Sequence, residues 1–108
     1  MNIYLAGPMS NLPDFNRPAF MAFEEKLAVA GYVVLNPARV RLPEDATWLD
    51  YMRYALRNLS HADGVAMLPG WEDSIGATIE HDLATRLGLD VRAPDEWLVH
   101  THVRSRNT

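Results

Sequence analysis

Four short apolar runs punctuate this chain: "NIYLA" from residue 2, "YVVL" from 32, "GVAML" from 64 and "LDVR" from 89. Each is closed within two residues by a proline. Runs this brief and this apolar read as strands buried on both faces, ended by turn-forming residues. The stretches between them carry helical periodicity. Asn16 is placed to cap a first helix with Pro18 in its opening turn, where the missing N–H costs little; Phe20, Phe23, Leu27 and Ala30 then recur at helical spacing up to Gly31. Thr47 can cap a second helix with a stripe of Trp48, Leu49, Met52, Leu56 and Leu59, and a third runs from Ser74 to Gly88. Strands and helices that alternate in this way build a parallel sheet covered on both faces, and right-handed crossovers make it doubly wound. The expected fold is a small α/β three-layer sandwich of the Rossmann-like or flavodoxin-like kind, with a parallel sheet of four or five strands. One domain spans residues 1–99, and the polar end "HTHVRSRNT" at 100–108 reads as a loosely held tail.

A length of 108 residues supports one modest core, and 48% apolar with 22% charged residues is ordinary for a globular chain. The formal charge of -4 offers no basic field, so a nucleic-acid polymer is not an expected partner. Cysteine is absent, which excludes disulfides and thiolate chemistry. The opening Met1-Asn2-Ile3-Tyr4 is too short and uncharged for a signal peptide, and no apolar run approaches a membrane span. These features predict a cytoplasmic protein with no membrane partner.

In doubly wound folds ligands bind beyond the carboxyl ends of the strands, near a switch in strand order. The segments Gly7 to Arg17, Asn36 onward and Leu68 to Ser74 should meet there. One residue of the third helix stands out. At about 100° per residue, Ile79, Leu83, Ala84 and Leu87 share an apolar arc, and Glu80 falls inside it. A helix glutamate ordinarily snorkels to water or pairs with arginine. A carboxylate on a packed face, near the positive end of the helix dipole, is also a plausible nucleophile facing a cleft. Ser74 and Gly76 before it fit a helix cap and a close approach of ligand to backbone.

Tyr4 lies in the first strand, where alternation leaves its face open. Asp63 reads either as a turn residue at the amino end of the third strand or as part of that strand. Four histidines, His61, His81, His100 and His102, lack metal-ligand spacing, so no metal is expected. No phosphate-binding or dinucleotide glycine motif is present, and no cofactor is expected.

Taken in order, "YLAGPM", "FNRPAF", "GYVVLNP", "ADGVAMLPGW" and "SIGATIEHDLA" resemble the nucleoside 2-deoxyribosyltransferase-like superfamily, from about Asn2 to Arg92. The likeness is greatest to a small branch common in bacteriophages and prophages. The resemblance implies N-glycosidic chemistry, in which a helix glutamate attacks the anomeric carbon and the glycosyl-enzyme passes to water or to a second base. Glu80 matches that nucleophile, Tyr4 the strand tyrosine that orients it, and Asp63 the aspartate that assists protonation of the leaving base. Such a path suits an oxocarbenium-like transition state, which a nearby carboxylate stabilises or traps.

The resemblance also bears on substrate, because the monophosphate hydrolases of the superfamily carry serine where the transferases carry aspartate. Ser74 therefore leans towards phosphate, with Gly7, Asn16, Arg17, Ser74 and Gly76 as the expected pocket. The leading expectation is a 2′-deoxynucleoside 5′-monophosphate N-glycosidase. The alternatives are base exchange between nucleosides and a non-catalytic module that binds or sequesters a nucleotide. A homodimer or higher oligomer is expected, with the Trp48 helix, flanked by Tyr51 and Tyr54, as its contact surface or, alternatively, those tyrosines packed within the chain.

Overall fold

A computed structural model describes residues 1–99; the expected tail at 100–108, with His100 and His102, lies outside the described residues. The strands are β1 (Asn2–Ala6), β2 (Val33–Leu35), β3 (Gly64–Met67) and β4 (Asp90–Arg92). The helices are α1 (Arg17–Val29), α2 (Trp48–Leu59) and α3 (Ile75–Arg86). All strand pairs are parallel, in the order β2-β1-β3-β4. The chain winds outward from β1 to β2, then crosses back through α2 to β3, so the switch in order falls between β1 and β3. This is the small doubly wound α/β sandwich expected, with four strands.

Strand alternation divides the core. Tyr4, Ala6, Val65 and Met67 point to the side carrying Ala55 and Leu59 of α2 and Ala77 and Ala84 of α3. Ile3, Leu5, Ala66 and Leu68 point to the other side, against Phe20 and Leu27 of α1. The face of Tyr4, undetermined in the sequence, is thus the α3 face. Phe20 and Leu27 are buried as their spacing predicts.

The other helices differ from expectation. In α2 the buried positions are Met52, Ala55 and Leu59, while Trp48 and Leu49 are exposed. In α3 they are Ala77, Glu80 and Ala84; Ile79 and Leu87 are exposed and Ile75 is 74% exposed. The helix lies close to the sheet, and small side chains permit that approach where isoleucine and leucine would hold it away. Thr47 forms the expected cap as a reciprocal box, its Oγ1 accepting from Asp50 N (3.2 Å) and Asp50 Oδ2 accepting from Thr47 N (2.8 Å). Asn16 does not cap α1. The chain enters that helix in a left-handed conformation, and the Asn16 amide donates instead to Pro8 O at 2.9 Å.

A further helical segment at 94–99 is too short for apolar periodicity to reveal it in the sequence. Its signals are Pro94 in the first turn and Glu96, whose carboxylate accepts from Ala93 N at 3.1 Å. It delivers Trp97 to the α1 side of the sheet, 1% exposed, with the indole N–H donating to Val65 O at 3.0 Å. Gly64 is bare for this ring: a Cβ there would sit 2.5 Å from it. Trp97→Ala is expected to cost about 3–5 kcal/mol, read as a fall in urea midpoint; an unchanged midpoint would show that the segment is no part of the cooperative core.

Candidate active site

The strand ends open into a cavity of about 390 Å³ at the switch between β1 and β3, a size that suits a small-molecule site. Its wall takes Gly7 from the β1 exit, Ser74, Gly76 and Glu80 from α3, and Tyr51 and Tyr54 from α2. Gly7 is small for a packing reason: a Cβ would meet that of Leu68 at 2.7 Å, where the ends of β1 and β3 run side by side. Ser74 caps α3 as expected, its hydroxyl accepting from Ala77 N at 3.2 Å. The space before Gly76 is taken by the Met52 sulfur, 3.1 Å from a built Cβ, so this glycine serves the contact between α2 and α3. It also borders the cavity and the adjoining hollow.

The structure brings Glu80 and Tyr4 together in the cavity wall, the Tyr4 hydroxyl donating a hydrogen bond to Glu80 Oε2. Both side chains are deeply buried, Glu80 at 5% exposure and Tyr4 at zero. Burial raises the Glu80 carboxyl from 4.5 to about 7, and the Tyr4 bond partly opposes that rise by favouring the charged form. Tyr4 is pushed well above its ordinary value, by burial first and by the neighbouring Glu80 charge next. At neutral pH the carboxyl therefore sits near its midpoint, able to lose a proton or hold one.

The remaining expected residues are placed elsewhere. Asp63 lies at the amino end of β3, its Oδ2 accepting from Asn2 N at 2.8 Å while its own N–H donates to Asn2 O. It fastens the starts of β1 and β3, at the opposite end of these strands from Gly7 and Ser74. Arg17 is not in the cavity wall: its Nε donates to Ala38 O (3.2 Å) and its Nη1 meets Asp14 Oδ1 (3.1 Å). Asn16 borders an adjoining hollow beside Pro8 and Ser74. The site thus lacks the arrangement expected of a phosphate pocket. No lysine, arginine or histidine among the described residues lines the cavity or the adjoining hollow, whereas Glu44, Glu80 and Asp73 do.

Phe15, Glu44, Trp48, Tyr51 and Tyr54 are wall residues whose place in the cavity the sequence did not reveal. Phe15 and Glu44 sit on irregular connections, where no periodicity points to a cavity. Tyr51 and Tyr54 flank the α2 stripe; both are half-buried and line the cavity. Among the described residues no cluster of acidic groups and histidines is arranged to hold a metal ion, and no helix is long and apolar enough to cross a membrane.

Fold and site together define a small parallel α/β domain with a buried carboxyl group at its strand ends. The chain belongs to the family described as a domain of unknown function, DUF4406, whose model matches residues 1–93. No curated protein matches it. Among solved structures, a 2-deoxyribosyltransferase from the psychrotolerant bacterium Bacillus psychrosaccharolyticus is similar, with a TM-score of 0.65 at 21% identity. That likeness covers 84% of this chain and 69% of the other, and at such identity it establishes a shared fold.

The buried carboxyl makes a thermodynamic prediction. Between pH 4.5 and about 7 the folded protein keeps a proton on Glu80 that the unfolded chain has released. Its contribution is full below that window, declines as pH rises through it, and is flat above. Glu80→Gln, which cannot ionise, should be more stable than the parent above pH 7 by on the order of 3 kcal/mol, with the difference vanishing towards pH 4.5. Denaturant titrations across pH test this; parallel curves would refute it.

Proposed function

We propose that this protein binds an uncharged nucleoside and cleaves or exchanges its N-glycosidic bond, with Glu80 as the nucleophile. The observation that carries the reading is the buried Tyr4–Glu80 pair in the wall of a cavity that no lysine, arginine or histidine among the described residues lines. The fold shared with a 2-deoxyribosyltransferase supports it. Ionised Glu80 attacks the anomeric carbon, the carbon–nitrogen bond breaks, and its electron pair leaves with the base. The departing base takes its proton from solvent at the mouth of the cavity, since Asp63, expected in that role, is not in the wall. Water, or the nitrogen of a second base, then attacks the glycosyl ester and frees Glu80, its own proton going to solvent.

The wall argues against the monophosphate preferred on sequence grounds. A 5′-phosphate would enter a space bordered by acidic side chains, with no lysine or arginine among the described residues in its wall. A second reading, binding without turnover, is favoured by a different observation: Glu80 is the one buried charged residue among the described positions, so no second carboxyl shares its low-dielectric environment.

Incubation with deoxynucleosides, with and without an added base, should release free base or form a new nucleoside, and matched 5′-monophosphates should react more slowly. Glu80→Gln should lower the rate by at least about 10²-fold. Undiminished activity in that variant would refute the nucleophile. Calorimetric binding equal in both proteins, without turnover, would select the binding module. Activity should rise with pH through about 7 as Glu80 ionises. Tyr4→Phe removes the bond that favours the charged carboxyl, so its acid limb should move up by about 1–2 pH units; an unmoved limb would show that Tyr4 does not tune Glu80.

A further inference from the structure

We propose that Phe15 is the ring on which the nucleoside's base stacks, and that Arg17 is the positioning residue that holds it in place; this rests on the nucleoside reading above. The connection from β1 to α1 passes through three successive left-handed residues, Asp14 (φ 49°), Phe15 (φ 52°) and Asn16 (φ 60°). Asparagine and aspartate tolerate that conformation, whereas a bulky aromatic residue is disfavoured there, so the surrounding structure has to hold it. Phe15 joins neither side of the core. Phe15 lines the cavity yet the residue remains 49% exposed, leaving apolar area for a ligand to cover.

The restraint comes chiefly from Arg17, whose side chain is only 14% exposed. Its guanidinium carbon lies 5.1 Å from the centre of the Phe15 ring, within cation–π range. The same group meets Asp14 Oδ1 at 3.1 Å and donates to Ala38 O at 3.2 Å, tying the connection to the segment after β2. The Asn16 amide adds a bond to Pro8 O at 2.9 Å. These contacts hold an unfavourable backbone whose outward product is one aromatic ring at the cavity. Glu80 lies in the wall of the same cavity, so a nucleoside with its sugar at Glu80 can bring its base to Phe15.

Steady-state kinetics on the full chain with 2′-deoxyadenosine test the assignment. Phe15→Leu should raise KM about tenfold, in the range of one base–aromatic stack, with kcat within about twofold. Phe15→Trp should restore the parent KM. Arg17→Ala should reproduce the Phe15→Leu phenotype, and the double variant should be no worse than either, because both changes remove one interaction. Arg17→Lys, which keeps the charge but loses the guanidinium fork, should fall between parent and Arg17→Ala. Thermal melts confirm folding, and a variant that does not fold is replaced by measuring Phe15→Tyr, expected to keep the parent KM. Parent turnover with KM unmoved in Phe15→Leu would overturn the proposal alone. Effects of Phe15→Leu and Arg17→Ala that multiply would overturn the role of Arg17. If the parent binds without turnover, Kd from calorimetry replaces KM with the same expectations. Absence of both binding and turnover in the parent would overturn the nucleoside reading and this proposal together.

Discussion

The contact between the Tyr4 hydroxyl and the Glu80 carboxyl is the constraint around which the α3 side of the sheet is arranged. A carboxyl group at 5% exposure needs a donor, and the donor must come from a residue long enough to reach across a packed interface. Tyrosine in a central strand meets that need, and its ring also fills the core between β1 and α3. The helix must then lie close to the sheet, which explains why its buried positions besides Glu80 are alanines. Bulky Ile75, Ile79 and Leu87 are turned outward as a consequence.

Close approach recurs at three other points, each permitted by a missing side chain. Gly7 lets the exit of β1 pass Leu68, Gly76 lets α2 meet the first turn of α3, and Gly64 receives the Trp97 ring. The first two border the cavity, so backbone proximity shapes the site as much as its polar groups do. The resulting hollow is aromatic along α2 and acidic at Glu44 and Glu80.

Some of the site was legible because it depends on local rules. Ser74 as a cap, Thr47 as a cap and Glu80 as an oddly placed carboxyl all follow from short-range spacing. Asn16 illustrates the limit: its sequence context suits a helix cap, but the left-handed approach to α1 turns its amide to Pro8. Asp63 illustrates another. Its neighbours fit a site residue by resemblance, while the hydrogen bonds to Asn2 fix it at the amino ends of β1 and β3. Phe15 and Glu44 lie in connections without periodicity, and only the course of the chain in space brings them to the cavity.

Alternating apolar runs and capped helices were sufficient, by themselves, to determine the four strands, the three helices between them and the parallel sheet. Those properties arise from periodicity, chirality and turn chemistry, which act over a few residues. The sequence could not determine which face Tyr4 occupies, which side of α3 is buried, or that Arg17 spends its donors on Ala38 and Asp14. These depend on contacts between segments far apart in the chain. A strand buried on both sides carries no polar alternation to orient it, and a guanidinium finds its partners only once the backbone has placed them.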